Sequence, residues 1–153
     1  MAGHSNGCMM SFAMALKHSD LVAAVCCHAG NVLTKASDDY NPRPMWFVHG
    51  MKDDVVPYEG SGTDLYFPGA LDGFNYLSTL NGCNSTNTTV SFEEGNTRTA
   101  SDCINDANIE LMTLTDVEHR PYKNMETQVD TTLAAWEFCS SYELSDEPVL
   151  DEI

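Results

Sequence analysis

The stretch Gly3-His4-Ser5-Asn6-Gly7 decides the expected fold, and a helix-like run from Cys8 to Leu16 follows it. A Gly-x-Ser-x-Gly pentapeptide ahead of a helix is typical of a strained turn between a strand and a helix, where small residues leave room for the backbone. Such a turn lifts the serine hydroxyl clear of the sheet. The pattern therefore predicts strands packed with helices and makes Ser5 a candidate nucleophile.

Two later segments supply a candidate acid and a candidate base. Residues 44–48 form a short apolar run that suits a buried parallel strand, and Asp53 lies in the loop after it. Residues 109–114 indicate another strand, and the loop that follows carries His119. The order serine, acid, histidine, with the last two in loops after late strands, resembles that of the α/β-hydrolases.

The chain resembles one group of these enzymes, the secreted esterases that include polyhydroxybutyrate depolymerases and feruloyl esterases. Their acid motif is similar to His-Gly-x-x-Asp-x-x-Val-Pro-Tyr, which residues 49–58 match at every specified position. Their nucleophile elbow, which is the strained turn that carries the serine, often reads Ser-Asn-Gly-Gly. This chain has Cys8 as the fourth residue. Their histidine usually lies in Gly-His-x-Trp-Pro, whereas residues 118–121 read Glu-His-Arg-Pro. The resemblance covers about residues 3–140.

The resemblance implies an α/β-hydrolase fold, with a mostly parallel sheet and flanking helices. Such a domain has several strands before its nucleophile, but only Met1 and Ala2 precede Gly3. We therefore expect residues 1–141 to be the C-terminal part of the domain, with the N-terminal strands missing; a naturally short product is the alternative. Residues 142–153 are acidic without a basic residue and are predicted to form a solvated tail.

The implied reaction is hydrolysis of a carboxylic ester through an acyl-serine. Ser5 would attack, His119 would accept its proton, and Asp53 would orient the histidine. The main-chain N–H of Asn6 would stabilise the oxyanion. A second donor normally comes from a loop after an early strand, so we expect this chain to be inactive alone. Neither a metal nor a cofactor is expected.

Two other functions fit the same residues. A serine peptidase of the same fold would use the same triad, because the triad does not distinguish esters from amides. A non-catalytic, hydrolase-like binding fragment is the third possibility. The esterase is the leading interpretation because of the match over residues 49–58.

Each candidate residue has a competitor. Ser5 could be only a helix N-cap, a position that serine favours. Asp54 could replace Asp53 as the acid, although the spacing of the family motif favours Asp53. The other histidines are predicted to be structural, pocket-lining or surface residues, and both tryptophans to be core residues: His4, His18, His28, His49, Trp46 and Trp136.

Charge limits the possible partners. The 153 residues include 7 basic and 23 acidic ones, for a formal net charge of -16, which disfavours nucleic acid and anionic membranes. No apolar run is long enough to span a membrane. The expected partner is a small or polymeric ester, and the sequence does not define an oligomeric state.

The cysteines indicate the compartment. Cys83 and Cys103 flank a polar segment and could close it with a disulfide, although two free thiols are the alternative. Asn84 and Asn87 each begin an Asn-x-Ser/Thr triplet, which is usable only in a secretory pathway. Together these features favour an extracellular protein. The remaining cysteines considered are predicted to be buried small apolar residues: Cys26, Cys27 and Cys139.

Apolar spacing and turn residues predict alternating strands and helices, as βαβ units require. Helices are expected over 6–18, 71–80 and 125–140. Strands are expected over 21–27, 44–48, 88–92 and 109–114.

Overall fold

A computed structural model describes residues 1–61, 68–84 and 88–144. These residues form eight strands and three α-helices. The strands are β1 (Ala2–His4), β2 (Val25–His28), β3 (Met45–Gly50), β4 (Thr88–Phe92), β5 (Gly95–Ala100), β6 (Ile109–Leu114), β7 (Lys123–Asn124) and β8 (Val129–Asp130). The helices are α1 (Asn6–Lys17), α2 (Ala70–Leu80) and α3 (Thr131–Cys139), and short 3-10 helices cover Ser19–Leu21 and Ile104–Asp106.

Six strands form one mixed sheet in the order β1-β2-β3-β6-β5-β4. The first four in that order run parallel, and β5 and β4 continue the sheet antiparallel. The register aligns His4 with His28, His28 with Val48 and Gly50 with Leu114. The carboxyl ends of the parallel strands therefore meet at one edge, where open α/β sheets hold their ligands.

The helices cover both faces of the sheet. One face packs under α1 and α2 through Phe12, Phe47, Phe74 and Leu111, all of which are buried. The other packs under α3 around Trp46. The predicted α/β class with a mostly parallel sheet and flanking helices is thus confirmed.

Most predicted elements are present, and their errors have physical causes. The helix expected over 125–140 begins only at Thr131, because Gln128 has a φ of 63° and Asp130 caps the helix by accepting bonds from two main-chain N–H groups. The strand expected over 21–27 starts at Val25, after a 3-10 turn. Strand β5 was not predicted, because its polar residues are held by backbone pairing on both sides. The expected tail lies outside the described residues from position 145 onward.

Three disulfides cross-link the fold: Cys8–Cys27, Cys26–Cys139 and Cys83–Cys103. The bridge considered between Cys83 and Cys103 is confirmed. The prediction that Cys26, Cys27 and Cys139 are simple apolar residues is wrong. Neighbouring positions of β2 point to opposite faces, so Cys26 reaches α3 whereas Cys27 reaches α1. In the described ranges no helix has the length and apolar character that a membrane crossing requires.

Candidate active site

Ser5 forms the turn between β1 and α1 with φ 55° and ψ -122°, a backbone conformation that a non-glycine residue seldom adopts. Its N–H donates to the carbonyl oxygen of His28 over 2.9 Å. A Cβ on Gly3 would collide with the backbone of Gly7, so the helix passes directly over the strand. The turn therefore requires glycine at position 3, whereas a Cβ on Gly7 would meet nothing within 4 Å.

The hydroxyl of Ser5 is not used as a helix cap. Ser5 occupies the N-cap position of α1, but its side chain makes no capping hydrogen bond. The disulfide between Cys8 and Cys27 ties the first turn of the helix to the neighbouring strand. The elbow is therefore held by its backbone and by a covalent bridge, and its hydroxyl needs no role in holding the turn.

Asp53 is buried, with only 4 % of its surface exposed, and each of its carboxylate oxygens has donors. Oδ1 accepts bonds from the N–H groups of Val55 at 3.0 Å and Val56 at 2.8 Å. Oδ2 lies 2.8 Å from Nδ1 of His119. Asp54 is exposed. The structure therefore pairs the histidine with Asp53 rather than with its neighbour.

His119 is placed by a close approach of two loops. A Cβ on Gly50, at the end of β3, would collide with the backbone of Val117, so the loop after β6 runs against the end of β3. The N–H of Lys52 also donates to the carbonyl of Val117 at 3.1 Å. When Nδ1–H of His119 donates its hydrogen bond to Asp53, Nε2 keeps a lone pair that can accept a proton.

The ring of His4 contacts the ring of His119 and so links His119 to the turn at Ser5. The ring centroids of His4 and His119 lie 4.8 Å apart at an interplanar angle of 49°. Because His4 immediately precedes Ser5, this contact sets His119 beside the elbow. The main-chain N–H of Asn6 lies in the first turn of α1, where N–H groups have no intrahelical partner and favour negative charge.

A second histidine, His49, contacts Asp53, although its sequence pattern predicts only a structural or pocket-lining role. His49 is 1 % exposed, and its Nε2 lies 2.7 Å from the carbonyl of Val56 and 3.3 Å from Oδ2 of Asp53. Its Nε2 proton thus points to two oxygens. Burial lowers the pKa of His49, outweighing the opposing effects of Val56 and Asp53, so the ring is neutral.

Two other predictions about aromatic residues have different outcomes. His28, for which packed, exposed and site-lining positions were all open, is buried, donates to the carbonyl of Thr131 at 3.1 Å and packs edge-on to Trp46. Trp46 is buried as predicted, whereas Trp136 is 69 % exposed and the prediction that it belongs to the core is wrong. Helical spacing predicted burial, but Trp136 lies on the side of α3 that faces away from the sheet.

The described residues contain no group of three or more side chains arranged to hold a metal ion. No protein-family model matches the chain, and no curated protein is significantly similar to it. What the site can do chemically therefore depends on its geometry.

Proposed function

We propose that the protein is a serine hydrolase of the α/β-hydrolase type that cleaves carboxylic esters, as the feruloyl and polyhydroxybutyrate esterases do. One observation supports the proposal: two features of a hydrolase site lie together at the carboxyl edge of the sheet. One is a strained serine turn whose hydroxyl caps nothing. The other is the pair of buried Asp53 and partly exposed His119, with a nitrogen–oxygen distance of 2.8 Å.

Each step follows from a group in this site. Nε2 of His119 takes the proton of the Ser5 hydroxyl as the oxygen attacks the ester carbonyl carbon. The N–H of Asn6 donates to the oxyanion that forms. When the bond to the alcohol breaks, the imidazolium gives its proton to the leaving oxygen, and an acyl-serine remains.

The second half of the reaction repeats the proton transfers with water. His119 removes a proton from water, the hydroxide attacks the acyl carbon, and Ser5 leaves with that proton. Throughout, Asp53 is an anion that holds the imidazolium in place. Its other oxygen is fixed by the N–H groups of Val55 and Val56, so the carboxylate cannot rotate away.

The compartment is part of the proposal. Three disulfides are stable in an oxidising environment, and the triplets beginning at Asn84 and Asn87 suit a secretory pathway. A secreted ester hydrolase is consistent with the net charge of -16, which keeps the protein away from anionic surfaces.

The test combines covalent labelling with turnover. A fluorophosphonate probe and p-nitrophenyl butyrate are offered to the protein and to the Ser5→Ala, His119→Gln and Ser91→Ala variants. We expect intact mass and peptide mapping to place the phosphonyl group on Ser5, with labelling abolished in the first two variants. Ser91 is exposed on β4, so its variant is the matched control and labels normally.

Both reactions build negative charge on an oxygen beside Ser5, but labelling ends at the covalent adduct, whereas turnover also needs water to release the acid. Labelling of another residue, or labelling that survives Ser5→Ala, would overturn the proposal. A peptide substrate cleaved faster than the ester would replace the esterase with a peptidase of the same mechanism.

A further inference from the structure

The ring of His119 is anchored at one of its atoms. Its Nδ1–H donates to Oδ2 of Asp53 over 2.8 Å, and 15 % of its side chain is exposed. A single hydrogen bond fixes the position of Nδ1 but lets the ring swing about that bond, which moves Nε2 on the far side of the ring. The direction of Nε2 therefore depends on what else the ring contacts.

That direction decides whether His119 can take a proton from Ser5. Among the residues that the structure describes, no hydrogen bond joins the Ser5 hydroxyl to His119. Catalytic hydrogen bonds are often long without substrate and tighten in the reacting complex. Because a displacement of about 1 Å can lower a rate about 100-fold, a contact that limits the swing of the ring supports the reaction directly.

His4 provides such a contact. The centroids of the His4 and His119 rings lie 4.8 Å apart, and the rings are tilted by 49°. Aromatic rings pack favourably when they are offset or tilted with centroids about 4.5–7 Å apart. His4 is also joined to Ser5 by one peptide bond. The same strand end therefore carries the proposed nucleophile and the ring that contacts its base.

His4 is itself fixed by strand pairing. It registers with His28 of β2, and the N–H of Ser5 donates to the carbonyl oxygen of His28 at 2.9 Å. Paired residues of neighbouring strands point to the same face of the sheet about 4.8 Å apart, so the side chain of His28 lies beside that of His4. The His28 ring donates to the carbonyl of Thr131 and packs against Trp46. A buried, fixed ring thus backs His4.

Proton transfer by His4 itself is the competing interpretation, because His4 is an exposed histidine next to the proposed nucleophile. A general base of this kind needs a group that stabilises its imidazolium, as Asp53 does for His119. In the described part of the chain no carboxylate contacts the His4 ring. Packing against His119 is therefore the role that the geometry favours.

We propose that His4 is a positioning residue for the reaction at Ser5, an inference that rests on the proposed function. Its ring limits the swing of the His119 imidazole and keeps Nε2 directed toward the turn that carries Ser5. The flat aromatic ring provides this support, and not the ability of His4 to gain or lose a proton. His4→Phe should therefore preserve the support, whereas His4→Ala should remove it.

The ring contact is tested first by NMR, without any substrate. The Nδ1–H proton of His119 is identified by its absence in His119→Gln. We expect it to exchange with water several-fold faster in His4→Ala than in the wild type, because a ring that swings breaks its bond to Asp53 more often. His4→Phe should slow this exchange again. His18 is exposed at the opposite end of α1, so His18→Ala is the matched control and leaves the exchange unchanged.

Rates are then measured in the same proteins. We expect His4→Ala to lower kcat for p-nitrophenyl butyrate, and the rate of fluorophosphonate labelling, about 3- to 10-fold, which is the contribution of an aromatic pair. KM should stay unchanged, and His4→Phe should restore most of the lost rate. His4→Gln keeps a polar side chain without a ring and should behave as His4→Ala does. It replaces His4→Ala in both measurements if alanine lowers the midpoint of urea unfolding.

The inference and the proposed function fail in different ways. Unchanged exchange of the His119 proton in His4→Ala, or equal losses of rate in His4→Ala and His4→Phe, would overturn positioning by His4. A wild-type protein that turns over ester, with the same kcat in His4→Ala, would retain the hydrolase and overturn the inference. Faster exchange in His4→Ala, in a protein whose Ser5 neither labels nor turns over ester, would overturn the hydrolase and leave only the ring contact.

Discussion

Nε2 of His49 lies 3.3 Å from Oδ2 of Asp53, and both side chains are buried. The same oxygen accepts a hydrogen bond from Nδ1–H of His119. Asp53 therefore has a neutral donor in His49 beside the histidine that is to carry charge. A neutral donor orients the carboxylate without adding a second positive charge that would compete with the imidazolium for it.

We expect His49→Phe to lower kcat about 10- to 100-fold with little change in KM, because a hydrogen bond to a charged group is worth about 1.5–3 kcal/mol. His49→Gln keeps an N–H donor and should restore part of the rate. Labelling rates and ester hydrolysis measure this. Two variants with equal rates would show that ring packing, and not the hydrogen bond, is what His49 contributes.

Replacing Asp53 by asparagine tests the acid. An amide cannot hold His119 in the tautomer that leaves Nε2 free, and in serine proteases the equivalent change lowers kcat by about 10⁴. We expect a loss of that order in ester hydrolysis by Asp53→Asn. Asp54→Asn, one residue away and exposed, is the control and should retain the wild-type rate. The opposite result would make Asp54 the acid.

The backbone of Ser5 predicts a conflict between stability and activity. Its φ of 55° with ψ of -122° suits glycine, and such strain costs about 1–3 kcal/mol in other residues. Ser5→Gly should therefore raise the free energy of unfolding in urea by about that amount. Ser5→Ala keeps a Cβ and should leave it nearly unchanged. Both variants lack the hydroxyl, so they differ only in the Cβ. Equal free energies of unfolding for the two would show that the backbone of Ser5 is not strained.

Stability should also fall as the solution becomes mildly acidic. Burial is the largest cause that lowers the pKa of His28 and of His49 in the folded protein. The unfolded chain therefore binds protons first as the pH falls below about 6.5, which favours unfolding. Above that pH both histidines are neutral in the folded and in the unfolded protein, so they no longer make stability depend on pH.

This pH dependence is measured by the midpoint of urea unfolding, determined at several pH values from 7.5 to 5.5. His28→Gln should flatten the fall, since it removes one of the two groups. Ser91→Ala alters an exposed residue that does not titrate and should leave the slope as in the wild type. An unchanged slope in the His28 variant would show that this ring is not kept neutral by the fold.

Sequence patterns locate the parts of the site that depend on local turns and on chain order. The flanking glycines make Ser5 a candidate, and the strands that precede Asp53 and His119 make these two residues candidates. Distant contacts were not accessible in this way. The bridge between Cys26 and Cys139 joins residues 113 positions apart and needs a helix packed against the correct face of β2. Trp136 was misassigned because helical spacing does not show which face meets the sheet.

The disulfides should contribute to stability in the order of the loops they close. Cys83–Cys103 spans 20 positions and Cys26–Cys139 spans 113. In the chain-entropy model their loss costs about 3 and about 5 kcal/mol, because the longer loop restricts the unfolded chain more. We expect paired alanine variants to unfold in urea in that order. Equal losses, or a larger loss for Cys83–Cys103, would mean that contacts in the folded state outweigh chain entropy. The reduced wild-type protein is the control, because it measures the combined contribution of all three disulfides.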